Sequence, residues 1–148
     1  MQIKAFFDRN SPLTQKQCDE KAEGITGKPV VATTCQGGGS YIVEAGQVIV
    51  QFRHQCSLLD MELMKSVEQA YPDFAPRIED HGVFHSVHVY SMNNVGGMSM
   101  YPARGYLQEN NYKLLRNAIN SYARFVNTNA FSSLFSLSLS LTTTEMYI

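Results

Sequence analysis

From Val30 to Arg53 the chain alternates short apolar runs with glycine: Val30-Val31-Ala32-Thr33-Thr34, Gln36-Gly37-Gly38-Gly39-Ser40, Tyr41-Ile42-Val43-Glu44, a break at Ala45-Gly46, then Gln47-Val48-Ile49-Val50-Gln51-Phe52-Arg53. Runs rich in Val, Ile and aromatics and punctuated by Gly read as three short strands joined by turns. Strands connected this tightly pair antiparallel, and a sheet of that kind needs helices to cover it. The flanks supply them. Thr14 precedes Gln15-Lys16-Gln17, the T-x-x-Q of a capping box, and Gly24 and Gly27 are stop signals near Ile25. After the strands Ser57 opens a helix in which Leu59, Leu63, Val67 and Ala70 form one apolar stripe, and Tyr71-Pro72 ends it.

Pro76, His81 and Gly82 frame a loop, and Val83 to Met92 is β-rich, either one long strand or two. A polar connector, Asn93-Asn94-Val95-Gly96-Gly97, leads to a helix from about Tyr112, with Leu115, Ile119, Tyr122 and Val126 spaced for one buried face. The order predicts an α+β fold built on a small antiparallel sheet.

Composition narrows the function classes. The 148 residues, 44% hydrophobic, suffice for one ordinary core. Twelve Lys+Arg against thirteen Asp+Glu leave no bulk positive field, which argues against nucleic acid or an anionic membrane as partner. The charged N-terminus does not read as a signal peptide, and no run of about 18 apolar residues occurs, so the expectation is a cytoplasmic protein. Cys18, Cys35 and Cys56 are too few and too scattered for a disulfide framework and are expected to be free thiols.

The last stretch differs. Phe131 to Leu141 is almost wholly Ser, Leu and Phe without charge. Ser/Leu alternation fits a half-buried strand, but a pyrimidine tract in the genetic code also reads as Ser, Leu and Phe. The expectation is that residues 1–127 carry the fold, that 128–148 are a low-complexity tail translated from non-coding sequence, and that the product is truncated.

Chemistry concentrates at the first turn. A turn without side chains lets backbone N–H groups approach phosphate oxygens, and the Ser40 hydroxyl would add a donor. The string is neither G-x-x-x-x-G-K-[ST] nor G-x-G-x-x-G, and a plain hairpin turn is the simpler alternative. A cation, Arg53, ends the third strand, and the next helix carries Asp60, Glu62 and Glu68. Glu62 flanks the apolar stripe, Asp60 lies on its other flank, and Glu68 faces away from it. Strand, glycine turn, two strands with a closing cation, then a helix with a carboxylate is the ATP-cradling order of protein-kinase-like small lobes.

In these pieces, together with Phe74-Ala75-Pro76, Asp80-His81-Gly82 and Val89-Tyr90-Ser91-Met92 running into Val95-Gly96-Gly97, the chain resembles the aminoglycoside phosphotransferase family over residues 12 to 127. The resemblance implies a protein-kinase-like small lobe, about five antiparallel strands with a packed helix, followed by a linker and the first helix of a truncated large lobe. It implies ATP as the ligand, with Gly37, Gly38, Gly39 and Ser40 over the phosphates and Arg53 where the family more often has lysine. Glu62 would hold that cation, and the backbone of Tyr90, Ser91 and Met92 would form the adenine-binding linker. Val95 to Ser99 resembles the family's turn after that linker.

The family's catalytic H-x-D segment and its metal-binding Asp have no counterpart. After residue 94 the chain has no Asp or His, and its acidic residues there are Glu109 and Glu145. No catalytic or metal-binding residue is therefore assigned, and Mg²⁺ belongs only to a full-length relative. The ancestral activity implied is transfer of the ATP γ-phosphate to a hydroxyl of a small molecule, with this chain inactive and unlikely to engage an acceptor. The alternative is a non-catalytic nucleotide- or protein-binding module, and loss of a large lobe would leave apolar surface for self-association. His81, His85 and His88 read as ordinary strand and loop residues rather than a metal site, because alternation points His85 and His88 to opposite faces. Cys35 and Cys56 are discounted as nucleophiles: the one local base is His54 next to Cys56, and neighbours in a strand diverge.

Overall fold

The structure, a computed structural model, describes residues 2–96, 103–109 and 111–124. The chain divides into two compact units, Met1–Gly96 and Gly97–Ile148. The first is α+β. Helices α1 (Gln2–Arg9) and α2 (Gln15–Thr26) precede β1 (Val31–Ala32), β2 (Ser40–Ala45) and β3 (Val48–His54). A 3₁₀ turn, Gln55–Ser57, leads to α3 (Met61–Ala70), then β4 (Ile78–Phe84) and β5 (Val87–Asn93). All five strands are antiparallel in the order β1-β2-β3-β5-β4. In the second unit, residues 103–109 and 111–124 are helical.

Period-two alternation sorts the central strands into two faces. Tyr41, Phe52 and Val89 form one row across β2, β3 and β5, and Val43, Val50 and Ser91 form the next on the same face. All six are buried. This face is the core, and α1 and α2 cover it. Ile3, Phe6 and Phe7 make the apolar stripe of α1, with the Phe7 and Tyr41 rings 5.0 Å apart. Lys4 and Asp8, at i and i+4, pair on its outer side at 3.0 Å, and Arg9 sits in its last turn, where a cation suits the helix dipole.

The capping box of α2 is present as the sequence predicts: Gln17 N–H donates to the Thr14 side chain at 3.3 Å and the Gln17 side chain accepts from Thr14 N–H at 2.9 Å. Gly27 ends the helix at φ 67°, a conformation glycine adopts without penalty. Cys18 and Ala22 face the sheet, and burial pushes the Cys18 thiol up to about 12. The Tyr41 hydroxyl, carried into the core by β2, donates to Asp19 Oδ1 at 2.7 Å and accepts from Gln15 Nε2 at 3.0 Å. Burial raises the Asp19 carboxyl above its ordinary value, a rise opposed by the Tyr41 bond and reinforced by Glu23.

Several expectations change. α1 does not figure among the expected helices, yet its Ile3, Phe6 and Phe7, apolar at i, i+3 and i+4 over only two turns, pack on the core face. The helix after β3 starts at Asp60 rather than Ser57, because the Asp60 carboxylate accepts Glu62 N–H at 3.1 Å and Leu63 N–H at 3.0 Å as its N-cap. Its apolar stripe is not core. α3 contains no buried residue, and Leu63 is 54% exposed; the helices packed on the sheet are α1 and α2. His81 and Gly82 belong to β4, not to a loop. A register shift between Asp80 and Val83 accommodates Gly82 at φ 73°, so the glycine that reads as a loop signal marks a bulge. The segment Val83–Met92 is two strands, turned at His85 with φ 54°. Leu115 is half-buried while Ile119 and Tyr122 are exposed; Val126, the Gly97–Met98–Ser99 turn and the 128–148 tail lie outside the described residues.

The two apolar sets should separate in unfolding experiments. Phe52→Ala empties a fully buried site and should cost about 3–5 kcal/mol, whereas Leu63→Ala on α3 should change stability by less than about 0.5 kcal/mol. Urea titrations followed by circular dichroism measure both, and equal losses would put the α3 stripe in the core.

Candidate functional site

The face opposite the core carries Ser40, Arg53 and His88 in one row, since Ser40 pairs with Arg53 and Arg53 with His88. The glycine turn enters this row at Ser40. Its carbonyls point at protein donors. Gly37 O accepts Ser40 N–H at 3.5 Å, and Gly38 O accepts from the Arg9 guanidinium at 3.2 Å. Gly39 O accepts both His54 N–H and the Ser57 hydroxyl at 3.1 Å. The N–H groups of Gly37, Gly38 and Gly39 donate to no acceptor among the described residues. The turn is thus anchored through its oxygens and leaves three successive amide donors free.

Gln36 braces the turn from its other side. Its side-chain amide accepts Ile42 N–H at 2.9 Å and donates to Ile42 O at 2.7 Å, and it also donates to Thr33 O at 2.9 Å. It stands in for the strand neighbour that β1, two residues long, cannot supply.

The glycines have different reasons. A Cβ on Gly37 would sit 3.0 Å from Ser40 Oγ, and one on Gly39 would sit 3.1 Å from Ser57 Oγ. Gly38, at the tip, would meet nothing within 4 Å and is not in the left-handed region, so packing does not require glycine there.

Arg53 is half-buried. Its Nε donates to Ser57 O at 2.5 Å and one terminal nitrogen donates to Gln51 Oε1 at 3.1 Å. Among the described residues no carboxylate lies within ion-pair distance of it. Glu62 is exposed and is not brought to Arg53, and Asp60 is committed to the α3 N-cap. Both neutral partners leave donors of the guanidinium fork available to an anion.

Ser40, expected to offer its hydroxyl, is only 8% exposed and packs under Gly37. Tyr90, Ser91 and Met92 are likewise not an open linker. They lie within β5, paired to β3 through Gln51, Val50 and Ile49 and to β4 through Asp80, Glu79 and Ile78, so their backbone groups are taken up by the two ladders. Regular pairing ends at Asn93, and Asn94, Val95 and Gly96 follow without regular structure. The Ser91 side chain points to the core face, where its hydroxyl meets His81 Nε2 at 2.7 Å beside a cavity of about 390 Å³ walled by Ile25, Val48, Arg77 and Glu79.

Next to Arg53, His88 Nε2 bonds Asp80 Oδ1 at 2.6 Å and its ring stacks on Tyr90 at 4.7 Å. The Gly82 N–H, at 2.7 Å, and then His88 hold the Asp80 carboxyl below its ordinary value. No group of three metal-ligating side chains occurs among the described residues. No helix among them is long and apolar enough to cross a membrane.

Sequence reasoning passed over Arg9, which lies in the unread α1, and the bracing role of Gln36. A polar residue with amide donor and acceptor directly before a glycine run was the available signal for the second.

No family model matches the chain, and neither the curated proteins nor the solved structures contain a match.

Gln36→Ala should remove the brace and leave the Ile42 amide without its partner, at a cost of about 1–3 kcal/mol. Hydrogen exchange at Ile42 should accelerate while that at Val50 stays at the global rate; unchanged exchange at Ile42 would mean that the side-chain amide is not its partner in solution.

Proposed function

We propose that this chain is a nucleotide-binding lobe of the aminoglycoside-phosphotransferase type that binds ATP through its phosphates without transferring them. The observation that carries the reading is the glycine turn itself: three free N–H groups, a tip residue that packing leaves free to be something other than glycine, and a half-buried guanidinium without a carboxylate one row away. Backbone donors and an arginine together suit a polyanion, the donors by position and the guanidinium by charge. The antiparallel five-stranded sheet, with a helix between the third and fourth strands, supports a small-lobe architecture.

In this reading the adenine side of the ligand lies toward Asn94 to Gly96, where regular pairing ends, rather than on Tyr90 to Met92. Rows four residues apart along β3, from Ile49 to Arg53, are separated by roughly 13 Å at the usual rise per residue, so base and phosphates occupy opposite ends of one strand. The chain binds nucleotide and leaves it intact, because phosphoryl transfer needs a positioned Asp and metal-binding oxygens of the kind absent after residue 94. The alternative of a protein-binding module draws on the exposed side chains of Leu58, Leu63 and Phe74.

Calorimetric titration of MgATP distinguishes the readings. Wild-type protein should bind. Arg53→Ala should weaken binding by roughly 10- to 100-fold, the loss of a charge-assisted contact. Gly38→Ala should raise folding stability slightly, by about 0.4–1 kcal/mol, yet weaken binding about tenfold. Absence of heat with the folded wild-type protein overturns nucleotide binding and favours the protein-partner alternative, and Mg²⁺-dependent release or transfer of phosphate overturns the inactivity.

A further inference from the structure

The end of β3 brings together a thiol and a base two residues apart, which in an extended strand would share a face but stand roughly 7 Å from each other. After His54 the chain leaves the sheet for the 3₁₀ turn Gln55–Ser57, which folds Cys56 back over the imidazole. Cys56 Sγ lies 3.0 Å from His54 Nδ1, and Cys56 N–H donates to the same nitrogen at 3.2 Å. A nitrogen that accepts the backbone N–H carries a lone pair, so the ring proton belongs on Nε2 and Nδ1 is the basic atom facing the thiol. Cys56 lies in the turn and not in the strand, so it and His54 are not held apart as strand residues would be.

Accessibility distinguishes the three cysteines. Cys56 and Cys35 are exposed, while Cys18 is buried. Among the described residues the Cys35 thiol has no hydrogen-bond partner. One molecule therefore holds an exposed thiol with a base, an exposed thiol without one, and a buried thiol whose ionisation burial opposes.

We propose that Cys56 and His54 form a nucleophilic pair that makes Cys56 the site of thiol–disulfide exchange with small disulfides. His54 Nδ1 releases the Cys56 N–H it accepts and takes the Cys56 thiol proton on that same lone pair, and the resulting thiolate attacks one sulfur of the disulfide. The Sγ–S bond of the mixed disulfide forms as the original S–S bond breaks. The departing thiolate takes the proton from the imidazolium, leaving neutral His54, so no further oxidant or reductant is required. The pair borders the glycine turn: His54 N–H and the Ser57 hydroxyl, on either side of Cys56, both hold Gly39 O. The exchange chemistry itself requires no nucleotide and stands apart from the binding reading.

Reaction of the folded protein with an aromatic disulfide such as dithiobis(nitrobenzoate), followed by stopped-flow absorbance, tests the pair. Single Cys35→Ser and Cys56→Ser variants assign the phases. Cys56 should react at least about tenfold faster than Cys35, a modest share of what positioned bases achieve, and Cys18 should stay silent until denaturant is added. His54→Asn keeps a side-chain acceptor for the 3₁₀ turn but removes the base. It should slow Cys56 to the Cys35 rate and leave Cys35 unchanged, with the silence of Cys18 reporting that the variant is folded. Equal rates for Cys56 and Cys35 in the wild-type protein overturn the proposal, as does a His54→Asn protein with Cys18 silent and Cys56 still fast. If Cys18 reacts in that variant, the wild-type ratio decides alone.

Discussion

The row Tyr41–Phe52–Val89 beneath α1 and α2 is the constraint on which the rest of the first unit depends. Side chains on a strand alternate with a period of two, so a one-residue slip in β2 or β3 would expose these residues and bury their polar neighbours. A buried aromatic is worth several kcal/mol, far more than any single contact on the other face, so the core selects the register. Arg53 lies opposite Ser40 and beside His88 as a consequence. The polar row follows from that register rather than fixing it: Arg53 holds a carbonyl and an amide, Ser40 lies beneath the glycine turn, and His88 bonds the Asp80 carboxylate at 2.6 Å.

The two faces solve the problem of covering a sheet in different ways. α1 and α2 contribute Phe6, Cys18 and Ala22 to the core and the turn between them adds Leu13, with Tyr41 delivering its hydroxyl to Asp19 at the margin. On the other face the chain after β3 makes shallower contacts. Tyr90 is 2% exposed there, stacked on His88, with its hydroxyl 3.4 Å from Leu59 N–H, while α3 beyond it presents Leu63 to solvent. An apolar stripe at helical period marks a face suited to burial without saying what buries it, and in this unit the sheet does not.

That distinction explains what was legible. The three strands around the glycines, the α2 capping box and its Gly27 stop, and the end of α3 at Tyr71 depend on local chemistry, and local chemistry is written in adjacent residues. The exclusion of Glu62 from Arg53 was not legible, because it depends on where the Asp60 cap starts the helix and on how α3 lies, both tertiary outcomes. Nothing in the residues separates Tyr90, Ser91 and Met92 as linker from the strand before them, because a β-rich run has no visible end. Pairing on both sides, which reaches Asn93, shows where it stops. Gly82 misled for a related reason: a glycine at positive φ serves a turn or a bulge equally, and only the neighbouring strand decides between them.

Glycine at the three turn positions separates structure from the use made of it. Gly37 and Gly39 have close neighbours, Ser40 Oγ and Ser57 Oγ, so a side chain at either position requires that hydroxyl to give way. Gly38 has no such explanation. An alanine there would also narrow the unfolded ensemble, an advantage of about 0.4–1 kcal/mol that the chain forgoes. Its carbonyl already has a fixed donor in Arg9, so conformational freedom is not being preserved for its own sake. In the proposed nucleotide reading the reason is close approach: a tip without a side chain, its oxygen turned toward α1 and its N–H left over, would let a polyanion sit directly against the backbone.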